Sequence, residues 1–517
     1  MPTACLPDNP DLERLKDHAK ALRNLVRAGV DGSIALVREH HPTLADLEPG
    51  TSAATGFRLA DAQLTIARHY GYASWAKLRR YVELVDRLSR SPHDEPVGEE
   101  PVDDAARADQ LLRLACLNYG ADNPARWRAA VRLLADHPQL AGHSIFTAAA
   151  VGDVTAAATL LDADPARASA EGGPFRWPPL LYLTYSRLDP TNAGAAPDGD
   201  HVAVARLLLG AGADPNAGFL WNGLPSPFTA LAGAFGRGEQ GTPPHHDELA
   251  LARLLLEAGA DANDSQTIYN RGLGDIARDD TELLELLLDF GLGRGDGGPW
   301  HRLLGHEHQT PTEIAAEALQ HAAEAGLAER TRLLLARGVD PNVPGTHPCY
   351  AGRRSYEGAV RHGNLVVADL LAAAGAATDS VTALDRFVGA FLAGDRTAVE
   401  RLLAADPQLL PRVLADHGDL IARAVELDRL PAVRLLVDLG FDVNARHRTT
   451  ALHEAALRDN RPAVDLLLSL GADPTIVDTE HHSPAAGWAR HSGHAELADH
   501  LDGLPAPPTN QAEPDRR

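Results

Sequence analysis

The chain has 517 residues, 44% apolar and 23% charged, with 48 lysines and arginines against 71 acidic residues and a net charge of -23. That length exceeds what one compact core serves, so it predicts several domains or an array growing in one dimension. The acidic balance argues against non-specific nucleic-acid binding and against an anionic membrane surface, since both reward clustered positive charge; basic or neutral partners fit better.

From Asp11 to about Leu88 the pattern is helical. Leu12, Leu15, Ala19, Leu22 and Leu25 keep helical spacing, Gly29 ends that helix, and Asp31 or Ser33 caps a second one reaching His40. Two further helices, LADAQLTIARHYG and YASWAKLRRYVELVDRL, meet at Gly71. Residues 1–90 hold thirteen basic against eleven acidic groups, so this segment alone departs from the acidic balance. With Lys77, Arg79 and Arg80 on its second helix the hairpin has a faint helix-turn-helix look, and a DNA-linked regulator is one reading of it. The other is a packed helical domain with Trp75, Leu78, Tyr81 and Val82 as core. Residues 91–104, SPHDEPVGEEPVDD, read as an exposed acidic, proline-rich linker.

From about Ala105 to Leu501, pairs of short helices recur. The leucine pair of each second helix marks the phase, from Leu133-Leu134 to Leu466-Leu467. Spacings between the later pairs cluster near 33, whereas Leu160 to Leu207, Leu207 to Leu254 and Leu286 to Leu333 are each 47 apart, which predicts insertions of about 14 residues. In the stretch 432–478, Thr450-Ala451-Leu452-His453-Glu454-Ala455-Ala456 opens a first helix. Pro462, Val464 and Leu466 to Leu468 form a second, and Gly471 is placed as its left-handed cap. Neither helix is long enough to be stable alone. The turns GAGADPNA (210–217), EAGADAND (257–264), ARGVDPNV (336–343), DLGFDVNA (438–445) and SLGADPTI (469–476) keep the same register.

This unit resembles an ankyrin repeat, with TALHEAA standing for the family's T-P-L-H-x-A-A and LLLSLGADP for its L-L-L-x-x-G-A-D-x-N. The resemblance implies an all-α ankyrin-repeat solenoid of stacked helix pairs over 105–503, with an N-terminal helical domain over 1–90. The segment FRLADAQLTIARHYGYASWAKLRRYVE is similar to one found ahead of such arrays in bacterial proteins. Ser483 to Leu501 is expected to cap the array, and 504–517, rich in proline, to be disordered.

The irregular part runs from about Phe175 to Tyr356. Insertions at 186–200 and 236–247 are rich in Gly, Pro and His and fall between paired helices; a third covers much of 295–310. Other additions lengthen the turns. In an ankyrin fold the turns project as fingers and line the concave binding surface, so the resemblance gathers Phe219, Trp221, Asn222, Tyr269, Asn270, Arg271, Trp300, Tyr350, Arg353 and Arg354 as a candidate binding surface. Phe228 and Tyr356 belong to the same region. Aromatic and arginine side chains are common binding anchors. The alternative is that the long fingers fold over and bury their own aromatics.

Chemistry finds little to stand on. Cys5, Cys116 and Cys349 lie outside any C-x-x-C pattern, so no disulfide framework or zinc site is signalled and a reducing cytoplasm is expected. No window approaches the roughly 20 apolar residues of a membrane span, and the N-terminus lacks a signal-peptide pattern. Lysine stops at Lys77, which removes Schiff-base and phosphate-loop lysine chemistry from the rest. Among 24 histidines there is no H-E-x-x-H, neighbours such as His245-His246 are expected to point apart, and His453 is expected to bond backbone, so no metal or cofactor is assigned. There is no G-x-S-x-G and no strand pattern for a dinucleotide fold. The expected function is a non-enzymatic, cytoplasmic module binding another protein on the concave surface, with specificity from the central fingers. A small-molecule binder or atypical enzyme using the same aromatic, His and Arg groove is the alternative beside the DNA-linked one.

Overall fold

The computed structural model describes residues 4–94, 101, 103–120, 122–194, 199–238, 241–274, 279–347, 350 and 352–504. Half of the expected acidic linker (95–100 and 102), Cys349 and the tail from 505 onward lie outside the described residues. Contacts divide the chain into two compact units, Met1–Asp275 with Glu282–Ile314, and Ile276–Thr281 with Ala315–Arg517. The division therefore does not fall at 91–104, because the N-terminal helices share a core with later residues of the first unit. No helix among the described residues is long and apolar enough to cross a membrane.

The first unit begins with the helices Leu12–Arg27, Asp31–His40, Leu59–His69 and Trp75–Leu88, and a single turn Ser52–Thr55. Asp11 and Ser74 cap their helices by accepting from the N–H of Arg14 and Lys77. Leu15, Ala19, Leu22, Val26, Leu78, Tyr81, Val82 and Val85 face inward, and Leu220, Trp300 and Leu304 complete that core. Leu25, counted in the predicted stripe, faces solvent. The basic side of the hairpin is simply its wet side: Lys77, Arg79 and Arg80 are exposed while the residues between them pack inward.

Helix pairs then follow in both units, each a short first helix, a tight turn and a second helix. Examples are Ile145–Val151 with Val154–Ala163 in the first unit and Ala451–Leu457 with Arg461–Ser469 in the second. The latter pair shows why the sequence folds so. His453 Nδ1 sits 2.8 Å from Thr450 Oγ1 and its Nε2 donates to Ser483 O at 3.0 Å, so the histidine bonds inside the fold as expected. Gly471 takes φ 94°, the left-handed cap read from the sequence. Burial raises the Asp478 carboxyl, but donation from Trp488 Nε1 and the N–H groups of His481, Glu480 and Ser483 outweighs it and holds the group below the usual carboxylate range. The apolar core from Phe387 to Leu501 is alanine, leucine, valine, isoleucine and phenylalanine, with Thr450, His453 and Asp478 buried beside it.

Two features of the first unit were not legible. Three strands exist where none was expected: Ser89–Arg90 pairs in parallel with Gly218–Trp221, which pairs antiparallel with Pro227–Thr229. Strands of two to four residues carry too little alternation to be seen in a sequence, and their pairing is set by tertiary packing. The insertions at 186–200 and 236–247 do fall between paired helices, and they dock on each other. Arg187, fully buried, donates from Nε to Pro243 O at 2.8 Å, from Nη2 to Gly233 O at 2.8 Å and from Nη1 to Thr184 O and Ser186 O. Asn192 Nδ2 donates to Pro244 O at 3.2 Å. One guanidinium thus satisfies the carbonyls that two irregular segments would otherwise bury unpaired.

Candidate functional site

The ten residues expected on one surface separate by unit: Tyr350, Arg353 and Arg354 belong to the second, the other seven to the first. In the first unit the finger 218–229 folds inward. Phe219 is 2% exposed and stacks on Trp177 with centroids 5.0 Å apart and planes 27° from parallel. Phe228, Tyr185 and Tyr119 extend that stack. Trp300, 9% exposed, donates from Nε1 to Asn216 O at 3.0 Å and packs with the N-terminal helices. Asn270 is buried between Gln266, which donates to its Oδ1 at 2.8 Å, and the Tyr119 hydroxyl, while Arg271 is also buried. These side chains cannot meet a partner; burying them is worth more than displaying them, since each ring removes a large apolar surface from water. Trp221, Asn222 and Tyr269 stay half-buried. Trp221 lies on the His93 ring at 4.6 Å, and Asn222, at φ 50°, accepts from the Ser91 hydroxyl at 2.6 Å.

Beside this finger is a cavity of about 20 Å³ lined by Asn216, Thr229, Asp264, Ser265, Trp300 and His308 among others. Burial pushes the Asp264 carboxyl up to about 6, against bonds from Thr229 Oγ1 and the Thr267 N–H that favour the charged form. His308 Nδ1 donates to Gln309 O at 2.9 Å, which leaves Nε2 to accept from Ser265 Oγ at 3.4 Å. A serine, a histidine and a raised carboxyl sit together, the combination expected of the small-molecule alternative. The space beside them holds about one water, however, and no metabolite.

In the second unit the first helices carry a polar network absent from the sequence reading. Gln320 donates to Glu324 Oε1 at 3.0 Å within the helix Pro311–Ala325. Arg353 Nη2 lies 3.5 Å from the same carboxylate, His362 Nε2 lies 3.7 Å from its other oxygen, and Arg423 bonds that same His362 nitrogen. Arg361 pairs with Asp385 at 3.2 Å. Burial and the neighbouring Arg423 push the His362 imidazole down to about 3, so it stays neutral between the arginines. Arg353 and Arg361 keep 25% and 27% of their side-chain surface in water. Tyr350 is buried, and Arg354 is spent locally, bonding Asn342 O at 3.1 Å and capping its own helix. The network could have been suspected from Gln320 and Glu324, one helical turn apart in an otherwise alanine-rich first helix.

A family model of ankyrin repeats in three copies matches residues 388–478. A putative ankyrin repeat protein of Acanthamoeba polyphaga mimivirus is 36% identical over 80 residues, 15% of this chain and 11% of that protein. Two probable E3 ubiquitin-protein ligases of Oryza sativa subsp. japonica are 35% identical over 88 residues and 34% over 116, covering 16% and 22% of this chain and 17% and 26% of theirs. The chain thus spans no more than about a quarter of these curated relatives. Among solved structures, the human ASB11 ankyrin repeat domain matches with a TM-score of 0.22 at 24% identity, over 37% of this chain and 84% of that one. With the stacked helix pairs, the TALH bonding of His453 and the matched repeats together, this chain is an ankyrin repeat domain-containing protein.

Proposed function

We propose that the chain is a non-enzymatic module that binds another protein, and that the face it uses in the second unit is the first-helix side around Arg353 and Arg361. The observation that carries this reading is that Arg353 and Arg361 keep 25% and 27% of their side-chain surface in water on the first-helix side of a chain of net charge -23. A carboxylate of a partner competes there with Glu324 and Asp385 for the same two guanidinium groups. The partner is therefore an acidic segment of a protein. Trp221 and Asn222 on the finger, with Tyr269 on the helix Ser265–Gly274, offer a second contact set within the first unit. A cytoplasmic setting is part of this reading and accords with Cys5 and Cys116 being free thiols.

The test is affinity capture from source-cell lysate with wild type, Arg353→Glu/Arg361→Glu and Trp221→Ala/Tyr269→Ala, each checked for unchanged helicity. Loss of one retained protein by the charge-reversed variant supports the arginine face. Loss only by the aromatic variant moves the site to the finger, and equal retention by all three rules out both.

A further inference from the structure

The two docked insertions carry more than backbone. His201 is the first residue of the helix His201–Gly210, directly after the first insertion, and His245 and His246 end the second. One ring nitrogen from each of the three comes within 4.8 Å of the other two. Neighbouring histidines were expected to diverge, but the rings of His245 and His246 stack at 4.7 Å with planes 25° apart. The reason is local: His245 Nδ1 accepts the Asp247 N–H at 3.1 Å and closes a tight turn after Pro243-Pro244 that aligns the rings.

Two of the three nitrogens have nothing to do in the protein alone. His201 donates from Nε2 to Ala150 O at 3.1 Å, so its Nδ1 carries the lone pair, and that atom is buried with no hydrogen-bond partner. His245 Nε2 is likewise buried without a partner. Both residues are 1% exposed. Unsatisfied buried polar atoms are costly and call for an explanation. His246, 28% exposed, has a carboxylate on either side: Asp247 Oδ2 is 3.1 Å from Nε2 and Asp189 Oδ2 is 3.7 Å from Nδ1. Whichever nitrogen takes a ligand, the other keeps a carboxylate to orient the ring, the usual outer shell of a metal-binding histidine.

We propose that His201, His245 and His246 form a divalent transition-metal site, filled by Zn²⁺, that clamps the two insertions together. Zinc–nitrogen bonds of about 2.0–2.1 Å set tetrahedral nitrogen separations of about 3.3 Å, so the cluster closes by at most about an ångström and a half. His246 and the turn behind it supply that movement. The His245 ring must carry its proton on Nδ1 when Nε2 binds the ion, so the bond from the Asp247 N–H is exchanged for the metal bond and no proton leaves. Asp247 or solvent takes the fourth position. Three imidazoles with no thiolate select zinc, cobalt or nickel over calcium and magnesium. The buried Arg187 guanidinium opposes a second cation, and Asp189 and Asp247 offset it.

The experiment uses untagged full-length chain, stripped with EDTA and desalted, titrated with Zn²⁺ by calorimetry and with Co²⁺ by visible absorption. Expected are one Zn²⁺ per chain, cobalt bands of a four-coordinate nitrogen site, and at least about tenfold weaker binding in His246→Ala and in His245→Asn. Zinc absorption-edge fine structure of the wild type gives a reading that no variant's folding can confuse: three imidazoles are expected, and one or none overturns the site. No saturable zinc binding up to millimolar concentration overturns it as well. So does one bound equivalent that both variants leave unchanged, since the ion would then sit among the other histidines.

Discussion

The stretch 383–502 and the stretch 179–257 are built from the same helix pairs, yet they stay folded by different means. The first fills its interior with small and branched apolar side chains. The second buries Arg187, Asp189, His201, His245 and, a few residues later, Asp264 and Asn270. A regular repeat presents its neighbour mostly with helices whose backbone is already bonded, so a few side chains such as Arg429, His453 and Asp478 match what remains. An insertion presents open carbonyls and N–H groups, and each must be matched by a side chain brought in for the purpose. Irregularity in an array therefore carries its own polar network.

That contrast can be broken most severely at Arg187. Arg187→Met leaves four buried carbonyl oxygens without their donor and is expected to cost about 3–5 kcal/mol. Hydrogen exchange by mass spectrometry should show the loss in peptides of 179–257 and leave 420–500 protected; equal deprotection of both would end the distinction. Next come two apolar deletions of about 3 kcal/mol each. Trp300→Ala should speed exchange in the helices Leu12–Arg27 and Trp75–Leu88, whose core it completes, whereas Leu467→Ala should act only within the second unit.

Two buried groups, one in each unit, should also answer acid with opposite signs. Asp264 has its pKa raised from 3.8 to about 6, so the folded state holds its proton more tightly than the unfolded one. Its contribution is complete below about pH 4 and is lost as pH rises through about 6, on the order of 2–3 kcal/mol. His321 in the second unit is pushed by burial from 6.5 down to about 4, so the unfolded state binds the extra proton. That contribution is present above pH 6.5 and is lost as pH falls through about 4, by a similar amount. Local exchange free energies in Asp264→Asn and His321→Gln, each compared with wild type from pH 4 to 7, should therefore differ from it with opposite slopes. The smallest effect sharpens the regular side alone: Thr450→Ala removes a helix cap and should cost about 1 kcal/mol.

What was legible follows the same line. The leucine pairs, Gly471 and the Thr450-His453 bond could be read because a repeat writes local structure with local residues. The fate of Trp300 could not, because the helices that cover it lie more than two hundred residues earlier. Ser89 and Leu220 pair across 131 residues, and no periodicity signals that. Phe219 illustrates the limit for the site: its position on a finger was right, but whether a finger points out or in depends on what else is there to fold against. The pair His245-His246 was expected to point apart, and a tight turn closed by the Asp247 N–H stacks the two rings instead.

Repeat arrays are ordinarily tolerant of losing or gaining a unit, since each touches only its neighbours. Arg187 removes that freedom locally. The insertion it leaves from and the insertion it bonds to belong to successive units, both spaced at 47 residues. Deleting either unit alone, or trimming either loop to regular length, strands half of a shared network. Removing either of the two repeats between Pro179 and Glu257 is therefore expected to destabilise the other.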